Sequence, residues 1–280
     1  MAHNVLRWVL AVVALLVVGP LLSAITAFSP APDASGGATP MLSTAPVMGA
    51  AAWIVAIALA GGFGLIVTRL TTWRLGVTCI GLCLVWSAWG TPRLDDLTRL
   101  DTMGDPTVRL AIDGLLVTLL GCGCAWVCTR QGGSDDHTAD DASPALYAYA
   151  VGGALVGALL AAFVIARDER IGQTMGAAVL AGFAGGMIGR GLASKVRVSW
   201  VLVGFPLAAL AAPLIGRALT DGAIWQATNE GSVSALLRVM PADWLAGVLI
   251  GFPAGSAQGA SMAHRTEHPG GEFRAGSPAS

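Results

Sequence analysis

Apolar residues along this chain run in long continuous blocks rather than in alternation, and the blocks recur at membrane-spanning length. Uninterrupted apolar windows lie near residues 5–28, 46–68, 73–91, 108–129, 145–166, 171–189, 198–216 and 243–263. Each is close to the roughly 20 residues that cross a hydrocarbon core as an α-helix. Short alternating segments would have marked the other spanning architecture, the β-barrel. The pattern predicts an all-α, polytopic transmembrane helical bundle of about eight spans. The third window is short and the fourth contains Asp113, so the count is least secure there. Trp8, Trp53, Trp73, Trp89, Trp126, Trp200 and Trp244 fall near window ends, where an amphipathic ring prefers the headgroup layer.

Composition agrees with this pattern. The chain is 55% hydrophobic and 12% charged, with mean hydropathy +0.69, whereas a soluble domain carries about 25% charged residues. Too few polar groups exist to cover a water-facing surface, so lipid is the solvent for the blocks. A net charge of −1 and the lack of a basic patch exclude nucleic acid as a partner. The implied partner is the lipid bilayer, with other membrane subunits or a second copy of the chain as further candidates. Arginine supplies every basic residue except Lys195, and alanine and glycine abound. That bias resembles GC-rich bacterial coding and suggests an inner membrane.

Basic residues in the loops orient the bundle. With the N-terminus cytoplasmic, the inside carries nine: Arg7, Arg69, Arg74, Arg130, Arg190, Lys195, Arg197, Arg265 and Arg274. The outside carries seven: Arg93, Arg99, Arg109, Arg167, Arg170, Arg217 and Arg238. The margin places both termini in the cytoplasm. A secretory signal competes for the first window, but the stretch from Trp8 to Phe28 is long, and Ile25 occupies a position that wants a small residue before cleavage after Ala27. The expectation is an uncleaved anchor.

The chain divides into a four-helix half at 1–128, an acidic Gly/Ser linker at 129–144, a second four-helix half at 145–263 and a disordered tail at 264–280. Residues 29–45 read as an irregular connector rich in Pro, Ser, Gly and Thr. Two loops carry amphipathic segments suited to the membrane surface. One holds Leu94, Leu97, Leu100 and Met103; the other has Ser232 as a helix cap before Leu236, Leu237 and Met240. Met48-Gly49-Ala50-Ala51 with Ala60-Gly61-Gly62 is echoed by Met175-Gly176-Ala177-Ala178 with Ala184-Gly185-Gly186. The echo suggests a 4+4 parallel pseudo-repeat.

Three groups of residues could carry chemistry. Cys79 and Cys83 near the start of the third window, with Cys122, Cys124 and Cys128 near the end of the fourth, share one depth if those helices are antiparallel. Thiolates select soft metals, and Asp135, Asp136, His137, Asp140 and Asp141 follow on the same side. The plain alternative is cysteine as a small hydrophobe beside a solvated linker. Second, Gly204-Phe205-Pro206 and Gly251-Phe252-Pro253 fall within the last two windows. Proline removes a helix hydrogen bond, and interrupted helices mark transport sites. Ser256, Gln258 and Ser261 would then line a wet path, although packing kinks give the same pattern. Third, Asp113 is read as the intramembrane acid, a functional suspect by default unless Arg109, one turn away, satisfies it.

Gly182 with Gly186, and Gly185 with Gly189, are spaced for close helix approach. None of His3, His137, His264 and His268 lies deep in a window, so a membrane haem held by paired histidines is excluded, and no P-loop is present. Ser256 and His264 share one helix end, which does not build a protease. No enzymatic activity and no cofactor follow from the sequence. The best functional expectation is small-solute translocation or service as the membrane subunit of an assembly. Thiol or metal handling, or a purely structural role, are the alternatives.

Overall fold

The computed structural model describes residues 2–32, 37–99, 104–132, 143–168 and 170–267. Among these the chain is an all-α helical bundle, with one isolated antiparallel bridge between Pro30 and Gly37. Helix α1 runs Ala2–Val13, passes through a π-helical turn at Ala14–Val18 and continues as Gly19–Thr26. The long helices that follow are α2 (Pro46–Leu70), α3 (Trp73–Trp89), α5 (Thr107–Gln131), α6 (Pro144–Ile165) and α7 (Ile171–Leu192). Between α3 and α5 lies the short α4 (Leu94–Arg99). Helix α8 comprises Val198–Val201 and Gly204–Ala218, and α9 (Ile224–Asn229), α10 (Ala235–Arg238) and α11 (Pro241–Glu267) complete the chain.

Seven helices among the described residues are long and apolar enough to cross a membrane; the 27-residue α11 is outside that set. At 1.5 Å per residue it is about 40 Å long, ample to cross. Its lower apolarity follows from its place. It lies along α7, α3 and α5, and these helices cover its first half, residues 241–253. Trp244, Leu245, Val248, Leu249 and Phe252 are all buried.

Glycine sets this packing. On α11, Gly247, Gly251, Gly255 and Gly259 recur every fourth residue and face α7, where added β-carbons would meet Ala178, the Val179 carbonyl, the Phe183 carbonyl and the Met187 carbonyl. On α7, Gly182 and Gly186 answer them against Val248 and Phe252, while Gly185 and Gly189 turn toward Ala154 and Ala150 of α6. Both glycine pairs foreseen on α7 are therefore filled by helices of this chain. The two halves pack differently. Helix α2 lies along α3, whereas their counterparts in a four-and-four alignment, α7 and α8, touch little, because α7 lies along α11 instead.

The π-helical turn in α1 precedes Pro20, which cannot donate to the preceding turn. The Leu15 carbonyl accepts a hydrogen bond from Trp86 Nε1 of α3 at 2.7 Å. Gly19 sits directly against the same indole and fastens α1 to the bundle.

Alternation of the long helices puts three long connections, 27–45, 90–106 and 219–240, on the face opposite the termini. They fold together into a cap. Ala31, Ala38, Leu42, Leu94, Leu97, Ile224, Ala227, Val233, Leu237 and Met240, with Leu110 of α5, form a second apolar core separate from that of the bundle. The amphipathic segments expected to lie on the membrane surface thus turn their apolar sides toward one another. Leu100 and Met103 lie outside the described residues, and the cap of α10 is Ser234 rather than Ser232.

Candidate functional site

Beneath the cap lies a buried ion pair. Gly90 and Thr91-Pro92 end α3, and the Arg93 amide then donates to Asp96 Oδ2 at 3.0 Å, which opens α4. This turn sends the Arg93 side chain into the bundle. Its Nη1 donates to Asp243 Oδ2 at 2.5 Å and to Thr174 Oγ1 at 3.1 Å, and Nη2 reaches the Ala88 carbonyl at 3.5 Å. Arg93 is 7% exposed, and Thr174 and Asp243 are 0% exposed. Asp243 stands in the first turn of α11 and also accepts from the Met240 amide at 3.4 Å. Arg93 Nε, Asp243 Oδ1 and Trp244 Nε1 are buried with no hydrogen-bond partner. The pair joins α3, α7 and α11 at one point, and neither charge can be removed without stranding the other in a water-poor interior.

Asp243 was the acid to find. It occupies the first residue of the last apolar window, beside Trp244, which the bundle buries, whereas the sequence pattern singles out Asp113. Asp113 is fully buried too, but its neighbour is not Arg109, which lies on the exposed side of α5. Its two oxygens accept the Met41 amide at 2.9 and 3.0 Å, holding the 3₁₀ turn Pro40–Leu42. Trp53 Nε1 donates to the Ala38 carbonyl at 2.8 Å and pins the same segment. Asp113 thus anchors the cap.

The five cysteines are free thiols in the helices where they were expected. They do not all face one point. Cys124 points to α2, its Sγ 3.9 Å from the Ile57 carbonyl and close against Gly61. Cys122, two residues earlier and so nearly opposite on the helix, borders a cleft of about 320 Å³ with Leu202, Val203 and Pro206 of α8. Among the described residues no group of three or more His, Cys, Asp or Glu could hold a metal ion. Asp135, Asp136, His137, Asp140 and Asp141 lie outside the described residues.

The two Gly-Phe-Pro sites behave differently. Before Pro206 the helix gives way to a turn at Leu202 and Val203, with bonds from Val203 N to Trp200 O and Phe205 N to Leu202 O, one turn inside α8. Gly204 is closed by the Val151 carbonyl and Ala154. Helix α11 runs unbroken through Pro253. Gly251 rests on Val179, and Ser256 is buried with its hydroxyl donating to the Pro253 carbonyl at 3.0 Å. Gln258 is exposed, so it shares no path with Ser256.

The cap surface carries two clefts. One, of about 490 Å³, is lined by Asp95, Arg167, Asp168, Thr228, Asn229, Gly231 and Arg238. Arg238 is braced there, donating to the Gly231 and Val233 carbonyls at 3.1 and 3.0 Å and to the Arg167 carbonyl. The other, of about 260 Å³, includes Asp105, Arg217 and Trp225. Burial pushes the Asp105 carboxyl up, but hydrogen bonds from Thr107 and the Arg217 guanidinium outweigh it and hold the group below its ordinary value of 3.8. Both clefts mix charges, and the second adds an apolar lining from Leu97, Ile224 and Trp225.

No family model, curated protein or solved structure matches the chain.

Proposed function

We propose that the protein is the membrane subunit of an assembly, crossing a bacterial inner membrane eight times with both termini in the cytoplasm and presenting its cap to a partner outside. The observation that carries this reading is the cap itself: loops from both halves of the chain share a separate apolar core. Connections that merely join spans need no core of their own, because surface loops are ordinarily satisfied by water. The braced cleft at Asn229 and Arg238 gives that surface a fixed, charged relief. The glycine-packed α7–α11 interface favours a scaffold over a conduit, since the centre of the bundle is filled by backbone in contact with backbone.

The test is a photo-crosslinking residue at Asn229, with one at lipid-facing Val156 as control, in native membranes. The expected result is a discrete crosslinked species above the 28.4 kDa chain from position 229 and none from 156. Monomer alone from both positions would overturn the assembly reading.

A further inference from the structure

On the terminal face, α1, α3 and α11 enclose a cleft of about 450 Å³ with a basic rim and an apolar wall. Arg7 of α1 and Arg74 of α3 stand at the rim, and Leu75, Pro253, Ala254 and Ala257 form the wall. No acid lines it. Among the described residues neither guanidinium has a hydrogen-bonded or ion-paired partner, and Arg7 Nε is buried without one. Arg74 lies over the Trp73 ring at 5.6 Å, a contact that fixes its position and leaves its N–H groups unused. Trp8, next to Arg7, is 72% exposed, as suits a ring at headgroup depth.

Arg7 is half-buried with its Nε out of reach of water and Arg74 is exposed at the same rim, so two like charges with no acid between them call for an anion. A guanidinium pair matches the oxygens of a phosphate. The adjoining apolar wall runs along α11 toward the bilayer interior, which adds a requirement for a hydrocarbon chain. Basic pockets between membrane helices at a cytoplasmic surface bind anionic lipid headgroups in this way.

We propose that this cleft binds an anionic phospholipid, its phosphate between Arg7 and Arg74 and one acyl chain against Pro253, Ala254 and Ala257. The bound lipid ties the peripheral α1 to the central α11. This site is on the opposite face from the cap and does not depend on the assembly reading.

Native mass spectrometry of the full chain released from nanodiscs of equal phosphatidylglycerol and phosphatidylcholine tests it. Wild type retains phosphatidylglycerol in preference, and Arg7→Gln and Arg74→Gln each lower that preference about fivefold. The Arg7→Lys and Arg74→Lys variants keep part of it. Ala254→Phe, at an exposed wall position, lowers lipid retention with both arginines in place. Equal retention of the two lipids by wild type, or undiminished preference in the glutamine variants, would overturn the proposal. So would inorganic phosphate raising the melting temperature of detergent-solubilised wild type and Ala254→Phe as much as phosphatidylglycerol does, since that would identify a free-anion site. Ala254→Phe keeps both charges, so it reads out the site even where an arginine variant fails to accumulate.

Discussion

Arg93 and Asp243 are 150 residues apart in sequence and 2.5 Å apart in space. Their contact sits where the cap meets the bundle, and Thr174 from a third helix completes it. Asp243→Asn should lower stability by about 3–5 kcal/mol, because Arg93 is left charged and uncompensated. The paired change Arg93→Met with Asp243→Leu should recover most of that loss. Thermal unfolding of the detergent-solubilised protein checks both. A single variant as stable as wild type would contradict the assignment.

Gly255→Leu should be among the most damaging substitutions on α11. A β-carbon at Gly255 would come within 2.0 Å of the Phe183 carbonyl, which is backbone and cannot step aside. The cost should exceed about 3 kcal/mol, the upper range for overpacking. Gly62→Leu, where nothing lies within 4 Å, should stay within about 0.5 kcal/mol of wild type. The fraction eluting as a monodisperse peak separates the two.

Asp113→Ala should loosen the cap without dissolving the bundle. The half-buried Met41 amide would lose its partner, a cost of about 1 kcal/mol. Limited proteolysis should then cut within 29–45 at protease concentrations that leave wild type intact. Equal resistance would mean that Trp53 alone holds the segment.

The Asp105–Arg217 pair gives a pH dependence with a definite sign. Asp105 is held below 3.8 when folded, so its contribution is complete above that value and disappears as pH falls through the lower, folded one. The pair is 49% and 37% exposed, which limits it to roughly 0–1 kcal/mol. Asp105→Asn should therefore be slightly less stable than wild type at neutral pH and converge with it toward pH 3. A gap that widened in acid would reverse the assignment.

Much of the bundle was legible because lipid as solvent demands long apolar runs, and those runs are visible without knowing their neighbours. The α11 ladder at Gly247, Gly251, Gly255 and Gly259 is also written in the sequence, but the intervening Pro253 suggested a break. Proline is tolerated there because α11 is held along its length by the helices around it. The Arg93–Asp243 contact could not be read, since nothing local at either residue specifies a partner 150 positions away. Leu94, Leu97, Leu237 and Met240 form recognisable amphipathic patterns, yet a pattern cannot say whether its apolar side meets lipid or another loop. Cys122 and Cys124 are two residues apart on one helix, and the helical angle between them directs them to different neighbours.

The apolar residues of the cap come from positions 31 to 240, so no fragment much shorter than the whole chain contains its core. During synthesis the first two loops emerge before Ile224, Ala227, Val233, Leu237 and Met240, which complete their core. The core is complete only once 224–240 has been made and α11 has brought Asp243 to Arg93. The cap therefore acts as a record of completed insertion: a partner that recognises its folded surface would engage finished molecules and pass over those still missing their last helix.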